Sequence, residues 1–537
     1  MLEVTLHPEQ GPVALGCERS DFMRVLFVWL NNDTPVGISH GIALLSAELK
    51  RAGHQVALLH VNEQLGTPLD AELLSARIAH HAPDVVALSF GSNHAPAAAE
   101  VARIARASQP RATIVAGGIH ATLHPEEVFA WPEIDLLALG EADGDRFVTA
   151  LDELALGKLP IETPGFWSRA PTGEVRMGSL APPVDIGDQL LPKDLDLFDH
   201  RRILELKRGW ADMHAGRGCP QRCSYCFNEP LRQRYIAAIQ RAECDLRYVR
   251  KRPLEVVMAE LRGYVVRYGK YIRAFSFTDD QFLVGRQWAL DFFAAYAESI
   301  RLPLIFLATA GAINEPIVAA AARAGTYMVR MGVESGSESL RQRVLNRHTP
   351  NRVIARAIEM LQRAGINAFT FNMVGIPGET VDDAWATCRF ATELGCDAVK
   401  FSNFWPYPGT ALFEHCQREG LLRSDLGFMG NNTDDTPLVW PPEQQRFYRR
   451  LARFFDVALN RFRPEPEAPA FAALWNEIEH LPEPDFTDGA AAHLRTRATT
   501  LADAVVTRGG EAYVVPFPDR ADILLLKGRS RTRPLLM

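Results

Sequence analysis

The sequence predicts an α/β protein in three parts: a doubly wound parallel sheet, then a partial (β/α)6 barrel, then a mainly helical region. Short β-branched or apolar runs alternate with amphipathic segments along residues 23–150, and the alternation returns along residues 211–422. Strand and helix in repetition are typical of parallel sheets, because each parallel connection must cross back over the sheet. After residue 422 the alternation stops and apolar residues take a helical spacing.

The first domain, residues 23–150, is predicted to be Rossmann-like and follows an N-terminal extension, residues 1–22. A helix between its first two strands places Ile42 and Leu49 on one apolar face and ends near Gly53. Ligands of such a sheet bind at the carboxyl ends of its strands. The predicted strands are residues 24–30, 55–61, 84–90, 112–116 and 135–139.

Residues 151–210 are rich in Pro and Gly, which predicts a connector with some hairpin structure. The next domain, residues 211–422, fits a TIM-like partial barrel, whose chemistry we expect at the C-terminal strand ends. Its predicted strands are residues 211–215, 274–278, 304–308, 327–333, 368–374 and 398–402. In the C-terminal domain, residues 423–537, one apolar helix face is predicted to pack against the barrel, with Phe447, Leu451, Phe454, Phe455, Leu459 and Phe462.

The composition is that of an ordinary globular protein, with 47% apolar and 23% charged residues. A net charge of −7 over 537 residues argues against a general nucleic-acid or anionic-membrane binder. The longest apolar runs are far shorter than the ~18 residues that a membrane-spanning helix needs. Eight cysteines, with no signal-peptide pattern, predict a soluble protein of the reducing cytoplasm.

Three cysteines, Cys219, Cys223 and Cys226, lie in one short loop after the first predicted barrel strand. A zinc site needs a fourth ligand nearby, but the next cysteine is Cys244 and no histidine lies between. Three thiolates can instead hold three irons of a four-iron, four-sulfur cluster and leave the last iron open to a small molecule. Clustered cysteines in the cytoplasm favour metal binding over disulfides, and zinc or chance remains the alternative.

The C-x3-C-x2-C spacing resembles the radical S-adenosylmethionine (SAM) superfamily, and further family motifs follow the later predicted strands in order. The resemblance covers roughly residues 210–420. It implies that the open iron binds SAM and that one electron cleaves SAM to a 5′-deoxyadenosyl radical. The motifs are Phe277-Thr278-Asp279-Asp280-Gln281-Phe282, Gly332-Val333-Glu334-Ser335-Gly336, Gly375-Ile376-Pro377-Gly378-Glu379-Thr380 and Pro406-Tyr407-Pro408-Gly409-Thr410.

At the first strand ends, the resemblance implies that Tyr225 and Phe227 shield the cluster and the adenosine from water. It implies that Asp279 accepts hydrogen bonds from the amino group of SAM. For its neighbour Asp280, capping of the following helix is an equal alternative.

At the later strand ends, the resemblance implies that Glu334 and Ser335 meet the ribose hydroxyls or the methionine end of SAM. Gly375 and Pro408 lie in loops that resemble the adenine-side loops of the family. As ordinary turns these loops would need no ligand to explain them.

The N-terminal domain resembles the cobalamin-binding domain that often precedes a radical SAM barrel. Gly117-Gly118-Ile119-His120-Ala121-Thr122 and Gly140-Glu141-Ala142-Asp143 follow its last two strands. The resemblance implies that the glycines let the nucleotide tail of cobalamin pass between sheet and helix, and that two hydroxyls contact it. The implied cobalamin residues are Ser89, Gly117, Gly118, Thr122, Gly140 and Glu141.

One departure from the cobalamin pattern is the missing D-x-H-x-x-G signature, whose histidine ligates cobalt in many cobalamin proteins. The first loop reads Asn31-Asn32-Asp33-Thr34-Pro35-Val36-Gly37. The resemblance then implies cobalamin without a histidine of that loop on its lower face, or a domain that has lost cobalamin. We interpret the lone histidines His40, His94 and His120 as surface or helix-capping residues.

Together the two resemblances imply a cobalamin-dependent radical SAM enzyme that uses a [4Fe-4S] cluster, SAM and cobalamin. The leading hypothesis is a methyltransferase for an unactivated carbon or phosphorus centre of a small molecule or biosynthetic intermediate. A cyclase or oxidative rearrangement enzyme without methyl transfer is the second hypothesis, and a non-catalytic cobalamin or SAM sensor is the third. The implied partners are a small-molecule substrate, which Arg217, Arg222, Trp405 and Tyr407 could face, and an electron donor such as flavodoxin or ferredoxin.

The other cysteines of the barrel region are interpreted as buried small hydrophobic residues on helices or strands. They are Cys244, Cys388, Cys396 and Cys416.

Overall fold

The computed structural model describes most of the chain. The described residues are 22–187, 191–240, 246–424, 436–463, 466, 468–507, 511–517 and 520–527. Residues 1–21 of the predicted extension and Cys244 lie outside them. Two large sheets organise the described residues, one in each predicted α/β domain.

The N-terminal sheet begins with five parallel strands in the order β2-β1-β3-β4-β5, which confirms the predicted doubly wound sheet. The strands are β1 (Arg24–Leu30), β2 (Gln55–Val61), β3 (Val85–Ser89), β4 (Thr113–Gly117) and β5 (Leu136–Ala138). The helices are α1 (His40–Arg51), α2 (Ala71–His81), α3 (Ala95–Ser108), α4 (Ile119–Leu123), α5 (Pro125–Phe129) and α6 (Arg146–Ala155).

Helices cover both faces of this sheet, because successive side chains of each strand point to opposite faces. Leu26 and Val28 of β1 belong to one core, which includes Val101 of α3. Phe27 belongs to the other core, which includes Leu49 of α1.

The sheet continues past residue 150. An antiparallel hairpin, β6 (Phe166–Arg169) and β7 (Val175–Met177), pairs with the edge of β5 and brings the sheet to seven strands. Part of the predicted connector therefore belongs to the first sheet.

The second sheet has six parallel strands in the order β15-β14-β13-β12-β11-β8, which confirms the predicted partial barrel. The strands are β8 (Trp210–Met213), β11 (Ala274–Phe277), β12 (Leu304–Leu307), β13 (Thr326–Glu334), β14 (Asn367–Val374) and β15 (Ala398–Asn403). A short antiparallel pair, β9 (Gly216–Arg217) and β10 (Arg250–Lys251), follows β8. The helices are α7 (His200–Leu206), α8 (Asn228–Ile239), α9 (Leu254–Tyr268), α10 (Arg286–Ser299), α11 (Glu315–Arg323), α12 (Glu338–Arg343), α13 (Asn351–Arg363), α14 (Val381–Glu393) and α15 (Ala411–Arg418).

The C-terminal region is mainly helical, as predicted, and packs on the barrel. Its elements are α16 (Pro442–Arg453), α17 (Phe455–Asn460), α18 (Ala468–His480), α19 (Asp488–Thr507), β16 (Glu511–Phe517) and β17 (Arg520–Lys527). The predicted single apolar face is divided between α16 and α17 at Phe454, and Phe455 stacks on Phe401 of β15 with ring centroids 5.1 Å apart. Among the described residues, no helix has the length and apolarity to cross a membrane.

Candidate active site

The three cysteines lie on the loop that joins β9 to α8, just beyond the first barrel strand. Cys223 is buried, while Cys219 and Cys226 are half-buried. Gly218 begins the loop with a φ of 81°, and a Cβ atom there would lie 2.3 Å from the carbonyl oxygen of Tyr248. Only glycine fits at this point, so the loop runs directly against the backbone before β10.

The three thiol groups have the chemistry that an iron–sulfur cluster requires of its ligands. Burial raises the pKa of Cys219 to about 12 and also raises that of Cys226. The bound metal would have to supply the positive charge that removes these protons. A four-iron cluster spreads its thiolates over separate irons, which three cysteines on one loop can satisfy.

Two N–H groups point at the sulfur atoms of the cysteine loop. Nδ2 of Asn228 donates to Sγ of Cys226 over 3.7 Å, and Nη1 of Arg347 donates to Sγ of Cys223 over 3.6 Å. Hydrogen bonds to sulfur are one means by which proteins set the reduction potential of a cluster. The sequence analysis missed Arg347, because it lies outside every motif and 124 residues from Cys223.

Glu334 sits at the end of β13 in a conformation that is rare for residues other than glycine, with a φ of 70°. Arg347 joins it to the cysteine loop: Nη1 lies 3.7 Å from the Glu334 carboxylate and 3.3 Å from the Tyr225 hydroxyl. Burial raises the pKa of Glu334, and the charge of Arg347 offsets part of that rise. Strained residues of this kind cluster at functional sites. The structure thus brings the predicted residues Tyr225 and Glu334 together beside Cys223.

Asp279 is buried at the end of β11 and already has two partners. Its Oδ2 accepts from the backbone N–H of Ala215 over 3.0 Å, and its Oδ1 accepts from Nζ of Lys251 over 3.0 Å. Burial alone would raise the pKa of Asp279, but Lys251, His214 and the Ala215 N–H together lower it. A SAM amino group would therefore meet an ionised carboxylate that also holds β8 and β10 in place.

Asp280 faces a cavity of about 220 Å³ that borders the cysteine loop. It does not cap the following helix, because the cap of α10 is Gly285. Burial by the surrounding protein raises the pKa of its carboxyl group, although the side chain is exposed to the cavity. Phe227 lines the same cavity.

The remaining predicted SAM residues lie at the later strand ends. The Ser335 hydroxyl is 3.1 Å from that of Thr387 on α14, so a SAM contact would require it to exchange partners. Gly375 has a φ of 71° and donates its N–H to the buried carboxyl of Glu379, whose pKa burial raises to about 8. Pro408 is half-buried, and its neighbour Gly409 approaches the first domain.

A larger cavity, of about 380 Å³, lies where the N-terminal sheet meets the barrel. Its apolar part is lined by Phe27, Ala87, Val115 and Phe147, and its rim includes glycines after β4 and β5. This volume lies within the range of small-molecule sites. Of the predicted cobalamin residues, the cavity is lined by Ser89, Gly117, Gly118, Gly140 and Glu141. An apolar slot with a glycine rim fits the flat base of the nucleotide tail.

Gly118 lines both cavities, whereas Thr122 lines the smaller one. Gly118 has a φ of 101°, and a Cβ atom there would lie 2.5 Å from the carbonyl oxygen of Phe90. The Thr122 hydroxyl donates to the Gly118 carbonyl over 2.9 Å and accepts from the Gly140 N–H over 2.8 Å. In the structure this hydroxyl therefore ties the two glycine loops together.

Glu141 and Asp143 join the first domain to the barrel. Both nitrogens Nη1 and Nη2 of Arg250 donate to the Glu141 carboxylate, over 2.9 and 2.6 Å. Those of Arg217 donate to the Asp143 carboxylate over 3.1 and 2.7 Å, and Nη1 also lies 3.2 Å from Glu141. We call these four residues the interdomain clamp. The guanidinium of Arg217, predicted as a candidate for substrate contact, is engaged in it.

The three lone histidines were predicted as surface or helix-capping residues, and His94 does stand at the N-cap position of α3, although its side chain makes no capping hydrogen bond. His94 and His120 are buried, and the ring of His94 lies 3.0 Å from the carbonyl oxygen of Asn32. His40 lines the larger cavity with both ring nitrogens buried and without a hydrogen-bond partner. His94 and His120 pack within the first domain, beside Asn32 and Ser92, whereas His40 stacks on His214 just after β8. The sequence pattern does not reveal these contacts.

The other predicted residues are placed as follows. Cys388, Cys396 and Cys416 are buried, as predicted, although Cys396 lies in the turn between α14 and β15. Trp405 is buried and Tyr407 is partly exposed, while Arg222 is exposed at the tip of the cysteine loop.

Two family models match the chain. The model of the B12 binding domain matches residues 30–146, and the model of the radical SAM superfamily matches residues 213–391. Together they cover more than half of the sequence, in the order of the two described sheets.

Curated relatives are similar over most of their length. The uncharacterized methyltransferase PH0819 of Pyrococcus horikoshii is 26% identical over 386 residues, 71% of this chain and 79% of the relative. An anaerobic magnesium-protoporphyrin IX monomethyl ester cyclase of Rubrivivax gelatinosus is 24% identical over 73% of this chain and 70% of its own. The cytidylyl-2-hydroxyethylphosphonate methyltransferase of Streptomyces wedmorensis is 21% identical over 71% of this chain and 78% of its own.

Solved structures share the fold. The radical SAM methyltransferase TsrM of Kitasatospora setae, with cobalamin and a [4Fe-4S] cluster bound, superposes with a TM-score of 0.57 at 17% identity, over 76% of this chain and 77% of its own. The cobalamin-dependent radical SAM enzyme OxsB superposes with a TM-score of 0.62 at 15% identity, over 91% of this chain and 76% of its own. With both family domains, the matching fold and a donor set that fits each cofactor, this chain belongs to the cobalamin-dependent radical SAM enzymes, which use a [4Fe-4S] cluster, SAM and cobalamin.

Proposed function

We propose that this protein is a methyltransferase that acts on an unactivated carbon or phosphorus centre of a small molecule. The observation that carries the proposal is the contact between the two cavities. The larger one lies between the B12 domain and the barrel, and the smaller one borders the cysteine loop. Five residues line both: Gly118, Gly140, Glu141, His214 and Arg217. A methyl carrier and a radical source held in these cavities would be neighbours.

The side chains of the protein hold the cofactors in position and exclude water, while the cofactors supply the reactive groups. When bound, SAM on the cluster supplies an alkyl radical and cobalamin carries a methyl group. The aromatic side chains of Phe227, Tyr235 and Tyr248 line the smaller cavity and would keep water from the reacting atoms. Where the two cavities meet, the missing side chains of Gly118 and Gly140 let the Phe90 backbone and the Tyr235 hydroxyl approach closely.

The assignment of individual residues is part of this proposal. We assign the cluster to Cys219, Cys223 and Cys226. We assign cobalamin to the larger cavity, which is lined by Ser89, Gly117, Gly118 and Gly140. Thr122 would support this site by tying Gly118 to Gly140, while Glu141 holds the clamp. We assign SAM to the strand-end residues Tyr225, Phe227, Asp279, Glu334, Ser335, Gly375 and Pro408.

Two relatives that are similar over most of this chain are named methyltransferases, which supports methyl transfer. The cyclase relative, similar over 73% of this chain, favours ring formation or rearrangement without methyl transfer as a second candidate.

The proposal also includes a cytoplasmic location and an electron donor such as flavodoxin or ferredoxin. The exposed tip of the cysteine loop, Pro220 to Arg222, offers such a donor a short path to the cluster.

The two candidates differ in what they do with SAM. We expect the reconstituted full chain, given SAM and a strong reductant, to form S-adenosylhomocysteine in an amount that depends on bound cobalamin. The Cys223→Ala variant should lose 5′-deoxyadenosine, because the radical cleavage of SAM needs the cluster. Formation of 5′-deoxyadenosine alone, with no S-adenosylhomocysteine at any cobalamin loading, would contradict methyl transfer and favour the second candidate.

A further inference from the structure

Three charged side chains lie enclosed beside the larger cavity. Lys193, from the segment between the two α/β domains, and Arg252, just after β10, line that cavity. Glu260 of α9 lies behind them. Their side chains are only 4%, 4% and 3% exposed.

The Glu260 carboxylate contacts both Lys193 and Arg252. Nη1 and Nη2 of Arg252 each donate to the Glu260 carboxylate over 2.7 Å. The Lys193 ammonium lies 3.5 Å from the same carboxylate and donates to the His214 carbonyl oxygen over 2.9 Å. A lysine ammonium has three protons, so these two contacts leave one of them for the cavity.

Lys193, Arg252 and Glu260 together carry one net positive charge, and the neighbouring charges do not neutralise it. Asp279 is paired with Lys251, and Asp143 is paired with Arg217 in the interdomain clamp. His40 and His214 add no charge of their own, since burial lowers the pKa of both imidazoles, to about 4 for His214. Burial lowers the pKa of Lys193 to about 8, with Glu260 opposing that shift, so the ammonium remains mostly charged at neutral pH. About one positive charge is therefore enclosed at the cavity wall, which is costly unless a ligand anion balances it.

We propose that Lys193, with Arg252 and His40 beside it, binds the phosphodiester of the cobalamin nucleotide tail. The ring of His40 stacks on His214, and its two nitrogens have no hydrogen-bond partner. This inference rests on cobalamin occupying the larger cavity. The chemistry is complementary, because the tail combines a flat apolar base with one anionic phosphodiester. The cavity combines an apolar slot with a single uncompensated cation at its wall. Ammonium groups bind phosphate oxygens through charge-assisted hydrogen bonds.

The test compares hydroxocobalamin with cobinamide, a corrinoid that lacks the nucleotide tail and its phosphodiester. Binding of each to the full chain is measured by absorbance titration. We expect Lys193→Met to weaken hydroxocobalamin binding by about tenfold or more and to leave cobinamide binding unchanged. Lys193→Arg should keep most of the preference for hydroxocobalamin, because it keeps the charge. Lys158→Met, the same change at an exposed position, should alter neither affinity.

Each other outcome is informative. Equal loss of both corrinoids in Lys193→Met, or no loss of either, would overturn the role of Lys193 while leaving cobalamin binding intact. Failure of the unaltered chain to bind either corrinoid would instead contradict the proposed function. Iron content of the reconstituted variants reports whether they have folded around the cysteine loop, independently of corrinoid binding.

Discussion

Glu48 of α1 is a carboxyl group that the fold keeps away from water. Its side chain is buried, its Oε1 accepts from the Gly144 N–H over 2.9 Å, and its Oε2 has no partner. Burial raises the pKa of Glu48 to about 7, from an ordinary value near 4.5. The folded chain therefore favours the protonated form of Glu48. The stability that this preference contributes is complete below pH ~4.5 and is lost as the pH rises through 7.

Replacing this carboxyl with an amide should therefore stabilise the protein at high pH only. We expect Glu48→Gln to change the Tm little at pH 5 and to raise it by a few degrees at pH 8, where ionised Glu48 costs on the order of 2 kcal/mol. Thermal unfolding of the full chain at both pH values measures the difference. Glu126→Gln, at an exposed position of α5, is the matched control. An equal shift at both pH values would contradict a buried, neutral Glu48.

Among individual residues, the sequence could reveal only those whose type and spacing are distinctive. The cysteine loop and the glycine loops have such patterns. Arg347 and Lys193 do not, because charged residues are common and these two act on partners 124 and 67 residues away. The sequence also does not reveal whether a lone histidine is buried, since burial depends on which parts of the fold pack against it.

The strands were the most predictable elements. Runs of β-branched and apolar residues between helical segments predict every parallel strand, and β1 and β2 have the predicted bounds. The hairpin was expected, but its attachment to β5 was not, because an edge strand accepts any partner with matching backbone groups. The division of the C-terminal face at Phe454, where ψ is 35°, also has no sequence signal such as Pro or Gly.

The interdomain clamp links two loops that sit beside the two cofactor sites. Asp143 follows β5 of the first domain, and Arg217 of β9 is two residues from Cys219. Removing Asp143 leaves Arg217 with its longer contact to Glu141 alone, and removing Arg217 takes away the bidentate partner of Asp143. Breaking a buried ion pair in this way typically costs about 3–5 kcal/mol.

We therefore expect Arg217→Met and Asp143→Asn each to lower the Tm of the full chain clearly. The double variant should lower it by much less than the two single effects combined, because each change removes the same interaction. The pair Arg201→Met and Glu205→Gln, an exposed i,i+4 pair on α7, supplies the control, with small effects throughout. Strictly additive losses at Arg217 and Asp143 would show that the clamp is not one unit.

At the scale of the whole molecule, the two α/β domains meet at the carboxyl ends of their strands. Parallel sheets of both kinds place their ligands at that end, so the meeting point brings the two ligand sites together. The sequence predicted both domains and their order, but not the contact between them, because the clamp pairs residues more than 70 positions apart.

The central claim is a cluster held by three cysteines with one iron open to SAM. Electron paramagnetic resonance of the anaerobically reconstituted, reduced full chain tests it most directly. We predict about four irons per chain, a [4Fe-4S] signal that changes when SAM is added, and loss of this response in Cys223→Ala. A signal that SAM leaves unaltered, or fewer than about two irons per chain, would contradict the account.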